Sequence, residues 1–160
     1  MRDGLKTYLE DVILPVYMTL DDAHRPDHVH LVVAESLKIA AGLDVDPDMV
    51  MTVAFYHDIG LIHGRDLHHR HGARMLREDD TLKGWFSEDE IDVMAQAVED
   101  HRASNKKPPR SVYGAIIAEA DRDLEPEHII RRTVQFGFHH YPDLDVSGHV
   151  TRAYDHIRDK

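Results

Sequence analysis

Apolar residues recur at helical spacing along most of the chain, and no stretch alternates long enough between apolar and polar residues to predict a strand. The pattern predicts helices over about 5–20, 27–41, 47–57, 72–78, 88–101, 111–124, 126–138 and 147–158. Pro15 is expected to kink or divide the first helix. The fold prediction is therefore all-α, a single domain over residues 1–160 built as a bundle of about seven to nine helices.

Residues that favour helix ends set several of these boundaries. Asp46-Pro47 combines a capping carboxylate with proline at the first helical position. The segment 87–90 is a capping box, and Ser147 is expected to cap the last helix. Gly42 and Gly60 are each expected to end a helix, because glycine readily adopts the left-handed conformation found there.

Four predicted helices each carry a potential metal ligand on their apolar face, namely His28, His57, His101 and Asp121. One such histidine alone is more often a packed core residue, and one such aspartate is often a cap or a salt-bridge partner. His57 is followed by Asp58, and an imidazole beside a carboxylate suits a divalent metal. Together these residues favour one shared polar centre inside the bundle, where helical proteins build metal sites.

Composition narrows the classes of partner. The chain of 160 residues has 14 histidines and no cysteine, so thiolate zinc sites and disulfides are excluded. A net charge of −11 argues against nucleic acid, and an anionic substrate would need a local cation such as a metal. No apolar run is long enough to cross a bilayer and the sequence opens without a signal-peptide core, so we expect a cytoplasmic protein without a membrane partner.

The order of three segments resembles the HD-domain superfamily of metal-dependent phosphohydrolases. Residues 28–40 resemble the first helix of that family, which begins with a histidine. Residues 54–60 contain the His57-Asp58 pair and resemble the motif that gives the family its name. Residues 118–121, Ala-Glu-Ala-Asp, resemble the last motif, and the whole resemblance covers about residues 27–124.

The resemblance implies a ligand set for one or two divalent ions, with Mn, Fe, Ni, Zn or Mg as candidates. A single ion would be held by His28, His57, Asp58 and Asp121. Members with two ions add two histidines, which the motifs place here at His68 and His101, and Asp58 would then bridge the ions. His69 and His71 compete with His68 for this role, and His30 competes less well with His28 because it points away from the apolar face.

The function that the resemblance implies is hydrolysis of a phosphate ester of a nucleotide or another small phosphorylated metabolite. Metal would activate water, and Asp58 would orient that water. Arg102, Lys106 and Arg110 follow His101 and are candidates for binding the substrate phosphate, although a solvated surface loop explains them equally well. The Gly-Tyr-Pro tripeptide of the cyclic-dinucleotide branch does not follow the motifs, which disfavours such a substrate.

Two alternatives stay open at this point. Some relatives with six such ligands hold two irons and oxidise their substrates with O₂, and the same ligand types suit iron. A non-catalytic module that binds a metal or ligand is the other alternative. Residues 136–142 are aromatic and are interpreted as a helix end packed on the core, and Arg131 and Arg132 are interpreted as a solvated face.

Overall fold

Helices account for most of the chain that the structure describes. The computed structural model describes residues 2–20, 26–102, 107–122 and 126–158, with side chains for these residues except 126–129 and 157. Within these ranges it contains no strand and eight α-helices: α1 Leu5–Tyr8, α2 Pro26–Ala40, α3 Pro47–Tyr56, α4 His68–Glu78, α5 Glu88–Asp100, α6 Val112–Ala120, α7 Pro126–His140 and α8 Val146–Arg158. The predicted all-α bundle is confirmed, whereas Lys106 and Leu124 lie outside the described residues.

Short segments of tighter or wider helix connect the α-helices. After α1 the chain forms a π-helical segment over Leu9–Ile13 and a 3₁₀ segment over Leu14–Thr19. The expected division of the first helix near Pro15 is therefore confirmed, with the change falling just before the proline. Further 3₁₀ segments cover Ile59–His63 and Asp80–Gly84.

Helix α3 lies at the centre of the fold, and every residue from Asp48 to Tyr56 is buried. Asp46 caps its start by accepting a hydrogen bond from the Asp48 amide at 2.9 Å, with Pro47 at the first position as predicted. Helices α2, α5 and α6 pack around α3. The fully buried large side chains of the core are Leu5, Leu9, Tyr17, Val29, Phe55, Tyr56, His57, Ile59, Leu76, Leu82, Met94 and Ile117.

The start of α4 corrects the sequence prediction. The helix begins at His68 rather than at Gly72, and Gly60 lies inside a 3₁₀ segment instead of ending α3. A side chain at Gly60 would overlap the His68 carbonyl oxygen and the Gly72 amide, because the first turn of α4 passes directly over it. Gly60 therefore serves close packing, which brings the start of α4 against the end of α3.

Other predicted boundaries are confirmed or shifted by a few residues. The capping box at 87–90 is present, and Gly42 follows α2 with a φ of 88° as expected. Helix α6 ends at Ala120 rather than near residue 124. Ser147 does not cap α8, because Asp145 accepts the hydrogen bond from the Gly148 amide at 2.7 Å. None of the described helices is both long and apolar enough to cross a bilayer.

Candidate metal centre

The residues predicted as metal ligands come from five helices and meet between them. Their positions are His28 in α2, His57 and Asp58 directly after α3, His68 at the start of α4, His101 directly after α5 and Asp121 directly after α6. The side chain of Asp121 is 22% exposed, and the other five residues are at most 9% exposed. The structure thus brings all six predicted residues to one buried place.

Three helices point their C-terminal ends at this place. His57, His101 and Asp121 each follow the last residue of a helix. The C-terminus of a helix carries a partial negative charge from its unsatisfied carbonyl groups. The arrangement therefore favours a cation here even before the charges of the carboxylates are considered.

The Asp58 carboxylate is shared between two groups of histidines. Its Oδ2 atom lies 3.4 Å from His57 Nε2 and 3.9 Å from His28 Nε2. Its Oδ1 atom lies 3.4 Å from His68 Nε2 and 3.5 Å from His101 Nε2. One carboxylate thus presents one oxygen to each half of the site, which is the geometry that a bridging ligand requires.

Asp121 belongs to the half that contains His28 and His57. Its Oδ1 atom lies 3.2 Å from His28 Nε2 and 3.9 Å from His57 Nε2. The sequence had indicated that Asp121 lies in the middle of a helical apolar stripe. In the structure α6 ends at Ala120, so Asp121 lies directly after the helix. The end of the helix allows the carboxylate to turn toward the histidines.

Backbone carbonyl groups orient three of the imidazole rings. The Nδ1–H groups of His57, His68 and His101 donate to the carbonyl oxygens three residues earlier, at 2.7, 2.7 and 2.6 Å respectively. A donor at Nδ1 leaves the Nε2 lone pair free to bind an ion, so each ring points its ligand atom inward. This outer hydrogen bonding is typical of histidines that bind metals.

The donor set fits divalent ions. His28, His57 and Asp58 form one group, and Asp58, His68 and His101 form another. Within each group the potential ligand atoms all lie within 4.8 Å of one another. Imidazole and carboxylate donors without sulfur suit ions such as Mn²⁺, Fe²⁺, Ni²⁺ and Zn²⁺. The residues present therefore match the ligand set that the sequence predicts for one or two metals.

The electrostatics of the cluster also attract positive charge. Burial disfavours a charged His57, but the carboxylates of Asp58 and Asp121 outweigh it and raise the pKa of His57 to about 9. Burial opposes ionisation of Asp121 as well, yet its hydrogen bond to His28 and the charge of His57 lower its pKa to about 2. The two carboxylates therefore favour positive charge at the place where a metal ion would bind.

The structure shows which of the alternative histidines approach the centre. His68 Nε2 is the atom of α4 that approaches Asp58, whereas the ring of His71 packs 5.2 Å from that of His63. His69 is buried with its ring 5.6 Å from that of His68, and burial together with nearby positive charges lowers its pKa to about 4. His30 is exposed and packs against Phe55. His68 and His28 are thus the members of these sets that reach the centre.

The basic residues proposed to bind phosphate have different surroundings. Arg102 donates from Nη1 to the Asp66 carbonyl oxygen at 2.9 Å. Burial is the main cause that lowers the pKa of His68, and the positive charge of Arg102 lowers it further. Arg110 is bound to acidic side chains of α5, with Nη2 contacts of 2.7 Å to Glu99 and 2.8 Å to Asp100. Its guanidinium therefore helps to hold the described segment before α6 against α5.

The sequence prediction was wrong for Arg132. It was assigned to a solvated face, but its Nη1 atom lies 3.9 Å from Asp121 Oδ1 and its side chain is only 27% exposed. The aromatic Phe136 lies one helical turn later on α7, half-buried, with the Arg65 guanidinium 4.7 Å from its ring centroid. No pattern within α7 indicates this placement, because it follows from a tertiary contact between α7 and the residue after α6.

The comparisons agree with the geometry of the site. Residues 26–124, more than half of the chain, match the family model of the HD domain. A solved structure of a predicted HD superfamily hydrolase from an uncultured Thermotogales bacterium is similar in fold, with a TM-score of 0.63. It is 21% identical, and the match covers 95% of this chain and 84% of that one. No curated protein matches this chain. The chain belongs to the HD-domain family, which supports a metal-dependent hydrolase in general terms.

Proposed function

We propose that this protein is a phosphohydrolase that cleaves the phosphate ester of a nucleotide or another small phosphorylated metabolite at a centre of two divalent ions. The observation that carries the proposal is the Asp58 carboxylate, whose two oxygens face two different groups of histidines at 3.4–3.9 Å. His28, His57 and Asp121 would complete one ion's site, and His68 and His101 the other's. Divalent ions in such a centre lower the pKa of water and offset phosphoryl charge.

The chain's own residues would hold the reactants in place. Asp58 would accept a hydrogen bond from the attacking water and so aim its oxygen at phosphorus. A phosphorus–oxygen bond to water would form while the ester bond breaks, the water would lose one proton, and the leaving oxygen would take one up. Arg102 donates to the Asp66 carbonyl oxygen, two residues before His68, and we infer that its guanidinium binds a phosphoryl oxygen on that side of the centre. Lys106 and Arg110 stay predictions from the sequence, and the contacts of Arg110 with Glu99 and Asp100 favour a structural role.

A cavity that is linked to the centre through Arg65, although none of the six predicted ligands lines it, supports a small organic substrate. Its volume is about 350 Å³, which falls in the range of small-molecule sites. Arg65 lines the cavity, and its carbonyl oxygen accepts the hydrogen bond from His68. The other lining residues are Thr19, Leu20, Leu61, Ile62, Gly64, His139 and His140. We infer that the organic part of the substrate lies here, while its phosphate lies on the metals.

The experiment that tests the proposal is a hydrolysis screen with Asp58 variants. The purified protein is loaded in turn with Mn²⁺, Fe²⁺, Ni²⁺, Zn²⁺ or Mg²⁺ and assayed for phosphate release from a panel of phosphorylated metabolites. We expect wild-type turnover and a loss of at least about 100-fold in Asp58→Asn and Asp58→Ala. Asp80→Ala is the matched control, because Asp80 is exposed and pairs only at the surface with Lys83.

Two results would refute the proposal. Full phosphate release by both Asp58 variants would remove Asp58 from the chemistry. A screen that stays blank with every ion, or a product that forms only when O₂ is present, would exclude phosphate-ester hydrolysis and favour the other chemistries open to this ligand set.

A further inference from the structure

The C-terminal hairpin reaches the metal centre although it lies outside the region that matches the HD-domain model. That region ends at residue 124, and the hairpin consists of α7 and α8, which pack against each other. Arg132 of α7 points its guanidinium at Asp121, with 3.9 Å between Nη1 and Oδ1. A partly accessible cation therefore stands beside the half of the centre formed by His28, His57 and Asp121.

Contacts outside the ligand set fix this part of α7. Phe136 lies four residues after Arg132, on the same face of the helix, and packs under the Arg65 guanidinium. Arg65 is tied to the centre in turn, because its carbonyl oxygen accepts the Nδ1–H of His68 at 2.7 Å. The position of α7 is thus coupled to the segment that carries a predicted ligand.

Helix α8 holds α7 from the other side. Arg152 donates from Nη2 to the carbonyl oxygen of Thr133, the residue directly after Arg132. The Arg152 guanidinium also passes over Gly137, where a Cβ atom would lie 2.9 Å from Cζ. Its Cζ atom lies 5.8 Å from the ring centroid of Phe136. The backbone that follows Arg132, from Thr133 to Gly137, is therefore held by packing, and this helps to set the direction of the Arg132 side chain.

The charge of a metal-loaded centre changes what Arg132 can bind. Two carboxylates do not neutralise two divalent ions, so a loaded centre keeps an excess of positive charge. Asp121 would then bind a metal ion, and its negative charge would compensate less of the positive charge of Arg132. An anion that binds both the metal ions and the guanidinium would reduce the repulsion between them. The planar guanidinium matches two oxygens of a phosphate.

We propose that Arg132 binds a phosphoryl oxygen of the substrate, so that the C-terminal hairpin completes the phosphate site next to the Asp121 half of the centre. Arg102 would contact the phosphate from the His68 half. The ligand class rests on the proposed phosphohydrolase function, but the contact itself can be measured without turnover.

The test measures the affinity of the manganese-loaded protein for inorganic phosphate by calorimetry, together with metal content. Arg132→Gln removes the charge, and Arg132→Lys keeps it without the planar fork. Arg131→Gln is the matched control, because Arg131 is the exposed neighbour on the same helix. We expect phosphate affinity to fall about 10- to 100-fold in Arg132→Gln and less in Arg132→Lys, and to stay within about twofold in Arg131→Gln. The metal content should be unchanged in all three variants.

The outcomes separate this inference from the proposed function. Wild-type phosphate affinity in Arg132→Gln overturns the inference, and so does a loss of metal in that variant, which would show a structural role. Weaker phosphate binding with normal metal content supports the inference even if no phosphorylated metabolite is hydrolysed, in which case the proposed function alone fails. With an active substrate, we expect Arg132→Gln to raise KM more than it lowers kcat.

Discussion

The helices that carry the predicted ligands and the C-terminal hairpin are held in place by different means. Helix α3 is buried on all sides, and α2, α5 and α6 pack around it with their ligands at or near helix ends. The hairpin instead leaves apolar side chains in solvent, among them Val146 at 76% and Tyr154 at 69% exposure. Its inner face meets the rest of the molecule through Arg65, Phe136 and Arg132.

The two ways of holding a helix suit two different tasks, the positioning of metal ligands and the recognition of a substrate. A buried framework can fix metal ligands to within tenths of an ångström, because its side chains have few alternative positions. A helix attached through guanidinium contacts can change in sequence without disturbing that framework. We infer that the core determines the metal chemistry and the hairpin contributes to the choice of substrate.

The largest effect should come from removing a core side chain. Leu76 of α4 is fully buried, and Leu76→Ala should lower the free energy of unfolding by about 2–5 kcal/mol. Val150→Ala in the hairpin should change it by less than about 0.5 kcal/mol, because Val150 is 63% exposed. Urea unfolding of the metal-free variants measures both values, and equal losses would contradict the contrast between the two regions.

A smaller effect is expected where α4 crosses the segment after α3. Gly60→Ala would push the first turn of α4 away, so we expect a loss of about 1–3 kcal/mol in unfolding free energy and weaker metal binding by His68. Gly84→Ala is the control, because nothing lies within 4 Å of a Cβ atom there. Denaturation and metal titration of both variants test this, and a Gly60→Ala protein with normal stability and normal metal affinity would contradict the packing argument.

The smallest effect on stability should come from the contact between hairpin and core. Phe136→Ala removes the partner of the Arg65 guanidinium, which is worth about 0.5–2 kcal/mol. We expect phosphate affinity to fall while the metal content stays constant, because Arg132 loses its support. Tyr154→Ala, an exposed aromatic residue of the same hairpin, should leave both quantities unchanged. A Phe136→Ala protein that loses metal would show that the two regions are not separate in function.

Local signals in the sequence predicted the core well. The apolar stripes and the caps at Asp46 and Ser87 act over a few residues, so the helices that they define can be recognised from the chain alone. The candidate ligands followed from family motifs and from polar residues on apolar faces. All six of them lie together in the structure.

Features that depend on distant contacts could not be predicted in this way. The start of α4 at His68 depends on its approach to Gly60, which no pattern within α4 reveals. The structure has Asp145 as the cap of α8, whereas the sequence had indicated Ser147. The two capping residues lie close together, and periodicity does not show which of them starts the helix. Arg132 was misassigned because its environment is set by how the hairpin packs on the core, a tertiary contact that its own helix does not encode.

The most direct test of the account is the number of metal ions bound per chain, measured by elemental analysis of protein purified without a histidine tag. The shared Asp58 carboxylate predicts two ions in the wild type. His101→Ala should lower this to one, because His101 belongs to only one of the two ligand groups. A wild-type protein that binds one ion or none after incubation with manganese, iron, nickel or zinc would contradict the shared-carboxylate centre.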